Sequence, residues 1–246
     1  MSPLLDAARR REGAAVTVLA IVLGACGPDA ATSEYLLALR GEETGMGRQE
    51  QIRHLDRAIA LAPRRGEFYE TRAIYRIDLR QFDRAKADLD RDIELSDRPY
   101  ARFLRGLVAC QAGEFPGSLA DFDSAIADQP ANVQFYRGRS LARAACGDLS
   151  GALEDARHLV AAAPQQAESF YARGVALAGL GQVLESIEDF DRAARIRPEL
   201  VYVIDARAAA RDRLGDVAGA SADRLLVDSL RAGRSSCAPC LDPFRY

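Results

Sequence analysis

The most reactive side chains of this 246-residue chain are its five cysteines and two histidines. Cys237 and Cys240 enclose Ala238-Pro239, the spacing at which paired thiols exchange with disulfides. Such exchange needs a βαβ frame, and the surrounding SSCAPCLDPFRY supplies none. Two thiols are also too few for tetrahedral zinc. In an oxidising compartment the expected outcome is a local Cys237–Cys240 disulfide that stiffens the tail. His54 and His158 lie far apart, with no metal-ligand spacing around either, and read as ordinary helix residues. No glycine-rich phosphate loop and no serine nucleophile elbow occurs. Carboxylates are many, but they recur with a fixed long period, which marks structure rather than an acid–base pair. The expectation is a protein without catalysis, metal or cofactor.

Composition narrows the partners. The net charge of −3 provides no basic field for nucleic acid or an anionic membrane surface. The basic side chains are arginines except for Lys86. Alanine, arginine, leucine and aspartate dominate, and tryptophan is absent, which favours helices over sheets.

The first 26 residues have a separate logic. Arg9, Arg10 and Arg11 precede an apolar run from Ala14 to Leu23. That run is too short to span a bilayer, which takes about 20 apolar residues, and has the size of a secretory signal core. Leu23-Gly24-Ala25-Cys26 resembles the lipobox of bacterial lipoproteins. The resemblance implies cleavage before Cys26 and acylation of that residue, and two or more acyl chains anchor stably. The alternatives are a plain secretory signal or a buried apolar helix that happens to hold a cysteine. Glu12-Gly13 is not the apolar continuation of a twin-arginine signal. Gly27, where an aspartate favours inner-membrane retention in the Gram-negative family, implies the outer membrane, facing the periplasm.

The rest of the chain repeats itself. SLADFDSAIADQP (118–130) returns as SIEDFDRAARIRP (186–198) and, more weakly, as ALEDARHLVAAAP (152–164). Six copies start at Gln51, Ala85, Ser118, Ala152, Ser186 and Ala220, spaced by 34, 33, 34, 34 and 34 residues. Upstream of five copies runs Arg72-Ala73, Arg105-Gly106, Arg139-Ser140, Arg173-Gly174 or Arg207-Ala208. Between the halves stand Gly113, Gly147, Gly181 and Gly215, where a helix needs a left-handed stop. Pro63, Pro130, Pro164 and Pro198 close four copies. Each unit therefore reads as helix A, turn, helix B, stop, and neither helix can bury its small-residue stripe alone. The pattern resembles the tetratricopeptide repeat, over roughly residues 32–232. The resemblance implies an all-α, right-handed superhelical solenoid of about six helix-turn-helix units. The terminal units depart from it. The first has a poor helix A (33–46, with Gly41 and Gly45), and the last lacks its proline. The expected layout is a signal peptide over 1–25, the lipidated Cys26 and a tether over 26–31, the array over 32–232 and a tail over 233–246.

Arg72, Arg105, Arg139, Arg173 and Arg207 each precede an aspartate by sixteen residues: Asp88, Asp121, Asp155, Asp189 and Asp223. The expectation is a salt bridge from helix A to helix B, within a unit or to the next one, worth about 0–1 kcal/mol if exposed and fixing helix register if the ladder is partly buried, rather than a ladder of ligand charges. By the resemblance, a concave groove is lined by Tyr100, Phe103, Leu107, Cys110, Gln111, Gln134, Arg137, Leu141, Tyr171, Val175, Tyr202 and Asp205. An aromatic and aliphatic groove with one central arginine suits an extended or helical peptide; the rival is a plain inner wall, or a dock for the chain's own tail. The clamp for a peptide carboxylate is excluded, because its asparagine is replaced by Ile74, Leu107, Leu141, Val175 and Ala209. Cys110 and Cys146 read as core or groove residues of two helices A. Phe244 and Tyr246 either cap the last unit or serve as a ligand for a partner.

The functional expectation is a membrane-anchored adaptor of the cell envelope that binds protein partners. The alternatives are a regulatory subunit of a cell-wall enzyme, or a redox protein using Cys237 and Cys240.

Overall fold

The computed structural model describes residues 29–233. Cys26 and the expected signal segment, and Cys237, Cys240, Phe244 and Tyr246, lie outside the described residues. Among the described residues regular structure is helical throughout. They fall into two compact units, residues 29–128 and 129–233. The first holds α1 (Ala30–Leu39), α2 (Gly41–Thr44), α3 (Arg48–Leu61), α4 (Gly66–Asp78), α5 (Phe82–Ser96), α6 (Pro99–Gln111) and α7 (Phe115–Asp128). The second holds α8 (Val133–Ala145), α9 (Leu149–Ala162), α10 (Ala167–Gly179), α11 (Val183–Ile196), α12 (Val201–Leu214) and α13 (Val217–Gly233). Within each unit nearly every helix packs against the next in the chain, the stacking expected of helix-pair repeats.

The recurrent residues are the ones that let helices approach. Ala85, Ser118, Ala152, Ser186 and Ala220, each the first of its phrase, have no exposed surface. The buried serines satisfy their hydroxyls within their own helices, Ser118 Oγ donating to Phe115 O at 3.0 Å and Ser186 Oγ to Val183 O at 2.7 Å. Turns follow the sequence signals. Gly113, Gly147, Gly181 and Gly215 all take left-handed φ, from 75 to 88°. Where one unit lacks its glycine, Arg80 adopts φ 58° in its place, and Asp97 (φ 42°) ends one of the two phrases that have no proline.

A second complementarity runs between helix A and helix B. Phe122 fills the space that Gly106 leaves, and Phe190 the space that Gly174 leaves; a Cβ on Gly174 would lie 2.6 Å from Phe190 Cε1. Where helix A carries Ala73 or Ser140 instead, helix B carries the smaller Leu89 or Ala156. The Ala73–Leu89 pair thus fills about the same volume as the glycine–phenylalanine pairs, whereas Ser140–Ala156 is smaller.

The first unit departs from the expected single helix over 33–46. The chain enters α1 at Ala30, because Asp29 accepts a hydrogen bond from Thr32 N at 2.6 Å and caps the helix. It breaks at Arg40 and ends α2 at Gly45 with φ 75°. Gln51, standing where other copies have a small residue, causes the break to make sense. Its side chain occupies the space above Gly41, and its Nε2 donates to Ala38 O at 2.9 Å, satisfying a carbonyl at the interruption. At the other end, α13 runs to Gly233, one residue beyond the expected array.

Candidate functional site

The recurrent arginines and aspartates form five bidentate clamps. Arg72 reaches Asp88 at 2.6 and 3.0 Å, Arg105 reaches Asp121 at 2.7 and 2.9 Å, and Arg139 reaches Asp155 at 2.7 and 3.0 Å. Arg173 reaches Asp189 at 2.6 Å through both nitrogens, and Arg207 reaches Asp223 at 2.5 and 3.0 Å. All five aspartates are buried, so of the exposed pair and the partly buried ladder the structure has the ladder. The small residues beside each aspartate draw helix A over it, leaving the carboxylate little contact with water.

The clamps also cross from repeat to repeat. Arg72 extends its Nη1 to Asp56 of the preceding helix B, Arg105 to Asp90, and Arg207 to Asp191, each at 2.7 Å. A second arginine from helix A joins three of the aspartates: Arg76 to Asp88 at 2.6 Å, Arg143 to Asp155 and Arg211 to Asp223 at 2.9 Å. For Arg173 the preceding helix B offers Arg157 where an aspartate would receive it. The Arg173 guanidinium lies 5.7 Å from the Phe170 ring centre instead. Hydrogen bonds to Asp121 and Asp189 raise the pKa of Arg105 and Arg173 above the ordinary arginine value. These charges tie helices together and are consumed in doing so.

The residues expected to line a groove separate by burial. In the first unit, Tyr100, Leu107, Cys110 and Gln111 of α6 are partly exposed, whereas Phe103 is 1% exposed. Phe103 packs between Tyr100 (ring centres 5.7 Å apart) and Phe122 (5.8 Å) and belongs to the core. In the second unit, Gln134 of α8, Val175 of α10, and Tyr202 and Asp205 of α12 are partly exposed, while Arg137, Leu141 and Tyr171 are buried. The Tyr171 ring meets Tyr202 edge-on at 4.7 Å. Asp205 is paired with Arg231 of α13 at 2.8 Å.

Two residues around this second face were not singled out in the sequence. Glu168 is buried at the start of α10 and pairs with Arg197 at 3.2 Å, while Arg197 also binds Glu199 at 2.7 Å. Nothing in the spacing of Glu168 announces this, since its partner stands 29 residues on. Burial, and then the charge of Glu168, push the Tyr202 phenol well above its ordinary range, with Arg137 opposing. Tyr202 is therefore neutral and a hydrogen-bond donor at any physiological pH. Its Oη and Gln134 Oε1 are buried without a hydrogen-bond partner among the described residues. The arrangement can hold polar and aromatic groups; it has no nucleophile beside a base.

The remaining reactive residues are occupied. His54 shares a 2.6 Å contact with Glu34, and His158 stacks on Tyr136 at 4.1 Å. Cys110 and Cys146 form no disulfide among the described residues; Cys110 Sγ lies 3.2 Å from Ser118 Oγ and Cys146 Sγ 3.3 Å from Arg143 O. Among the described residues no group of three or more His, Cys, Asp and Glu is placed to hold a metal, and no helix is long and apolar enough to cross a membrane.

Comparison with known proteins agrees with this architecture. The tetratricopeptide repeat family profile matches residues 70–133, 103–167 and 138–200. Together these span 70–200, more than half of the chain. No curated protein matches the sequence. A tetratricopeptide repeat protein from Parabacteroides merdae superposes with a TM-score of 0.73 at 16% identity, covering 92% of this chain and 86% of that one. PilW, described as a widely conserved type IV pilus biogenesis factor, superposes with a TM-score of 0.70 at 17% identity, covering 88% and 97%. MamA from Desulfovibrio magneticus RS-1 gives 0.56 at 19% identity, covering 69% and 96%. At such identities the likeness speaks for the fold alone. The fold is an all-α tetratricopeptide solenoid, and the chain belongs to the tetratricopeptide repeat family.

Proposed function

We propose that this protein is a lipid-anchored adaptor of the bacterial cell envelope that binds protein partners on the helix-A faces of its repeats. The observation that carries the reading is the division of labour among side chains. The recurrent charges are spent on clamps between helices, whereas Tyr100, Leu107, Gln134, Val175 and Tyr202 stay partly exposed on helices A. Such aromatic and aliphatic side chains, with a few polar atoms among them, suit a peptide segment held by apolar anchors. The tetratricopeptide fold is typically a non-enzymatic interaction scaffold, and a role in assembling an envelope complex accords with the likeness to PilW, a type IV pilus biogenesis factor. A regulatory subunit of a cell-wall enzyme is the same binding reading with an enzymatic client.

The test is crosslinked capture from intact cells followed by mass spectrometry. Leu107→Glu/Val175→Glu places charge on partly exposed helix-A sites without emptying the core. The variant is expected to lose a complex that the native chain recovers. Recovery of the same partners by both would remove these faces from the account. The membrane half of the proposal rests on Leu23-Gly24-Ala25-Cys26 after an apolar run. Cys26→Ser is expected to abolish labelling by fatty acid and release the protein from the membrane fraction. Unchanged labelling and sedimentation would refute the anchor.

A further inference from the structure

Helix α13 differs from the helices B before it at two adjacent sites. Five and six residues after the recurrent small residue, the earlier copies read Asp56-Arg57, Asp90-Arg91, Asp123-Ser124, Arg157-His158 and Asp191-Arg192. The last reads Leu225-Leu226. In the earlier copies this aspartate has a purpose: Asp56, Asp90 and Asp191 receive the arginine of the following repeat at 2.7 Å. Leu225, like Arg157 of α9, cannot receive one, and unlike Arg157 it leaves an apolar side chain at that site.

What α13 presents instead is apolar. Ala220, Asp223 and Val227 are buried on one side of the helix. Ala218, Ala222, Leu225 and Leu226 are exposed, Leu225 by 71% and Leu226 by 43%. Their spacing of i, i+4, i+7 and i+8 is that of a second buried stripe. Uncovered leucines at adjacent sites hold hydrophobic free energy that only a covering group releases.

The chain carries a segment suited to cover them. Residues 234–246, RSSCAPCLDPFRY, follow α13 directly and bring Leu241, Phe244 and Tyr246. Pro239 and Pro243 oppose a straight continuation of the helix. The reach suffices: Leu225 stands eight helical residues, about 12 Å, before Gly233, and the eleven residues from Gly233 to Phe244 extend to about 36 Å. The charges match as well. Asp228, one turn beyond Leu225, is exposed and makes no ion pair among the described residues, and Arg245 adjoins Phe244.

We propose that residues 234–246 fold back along α13 and cover Leu225 and Leu226, with Phe244 as the main apolar contact.

The experiment is hydrogen exchange by mass spectrometry on the full chain, with molar mass measured over a range of concentrations. It compares the native protein with Leu225→Asp/Leu226→Arg, which restores the charged pair of the earlier repeats at two exposed sites and leaves the core untouched. Peptides spanning 241–246 are expected to exchange about tenfold or more slowly in the native chain than in the variant, with an unchanged monomer mass in both. Equal exchange of these peptides in both proteins would overturn the proposal. A native dimer that the variant abolishes would overturn it too, since the face would then belong to a second copy.

Discussion

Arg173→Ala is expected to lower the stability of the protein by about 3–5 kcal/mol, the cost of leaving a buried charge without its partner. Among the described residues Asp189 is held by Arg173 alone, through two contacts of 2.6 Å, and the carboxylate is buried. Arg139→Ala removes the same kind of clamp with a smaller loss, about 1–3 kcal/mol. There Arg143 remains 2.9 Å from Asp155 and keeps the carboxylate paired. The two variants therefore separate a doubly held aspartate from a singly held one, and denaturant unfolding of both reads the difference. Replacing both partners, as Arg173→Met/Asp189→Leu, should recover most of the loss, because two buried charges vanish together. Equal, small losses for both arginines would mean that water reaches these aspartates.

Phe190→Ala is the second large effect, expected at about 3–5 kcal/mol. The ring is 1% exposed and packs 6.1 Å from Tyr171, over the space that Gly174 leaves open. Its complement is Gly174→Ala, whose new Cβ would meet Phe190 Cε1 at 2.6 Å. In a ring this buried the clash has no easy relief and costs about 1–3 kcal/mol. The pair Gly174→Ala/Phe190→Leu reproduces the combination found at Ala73 and Leu89. It should be more stable than the sum of its single changes, by about 0.5–3 kcal/mol in a double-mutant cycle. Additive effects would contradict the volume-matching argument.

The solenoid was legible because its signals are local and periodic. A small residue at Ser118 or Ala152, a left-handed glycine at Gly147 and a proline at Pro164 each state what the backbone does at that point. The sixteen-residue spacing of Arg173 and Asp189 likewise announced a tie between two helices of one unit. Depth was not legible. The burial of Asp189 depends on how closely helix A lies over it, which no single position encodes, so the spacing alone leaves exposed and partly buried pairs both open. Phe103 fits the groove pattern as well as Leu107 does, but the Phe122 ring beside it makes it a core residue. Glu168 was invisible because Arg197 reaches it from the end of the next helix pair. The interrupted first helix became intelligible only with Gln51 seated over Gly41.

The central claim is that the recurrent charges hold the fold while the helix-A faces hold the partner. The most direct measurement pairs crosslinked capture with the melting temperature for Arg173→Ala and for Leu107→Glu/Val175→Glu. The account predicts that Arg173→Ala melts lower but, below its transition, captures the same partners as the native chain. The helix-A variant, in which Val175 also touches the core, loses them even below its own transition. Loss of capture by Arg173→Ala at an unchanged melting temperature would contradict the account and make the clamps themselves the binding site.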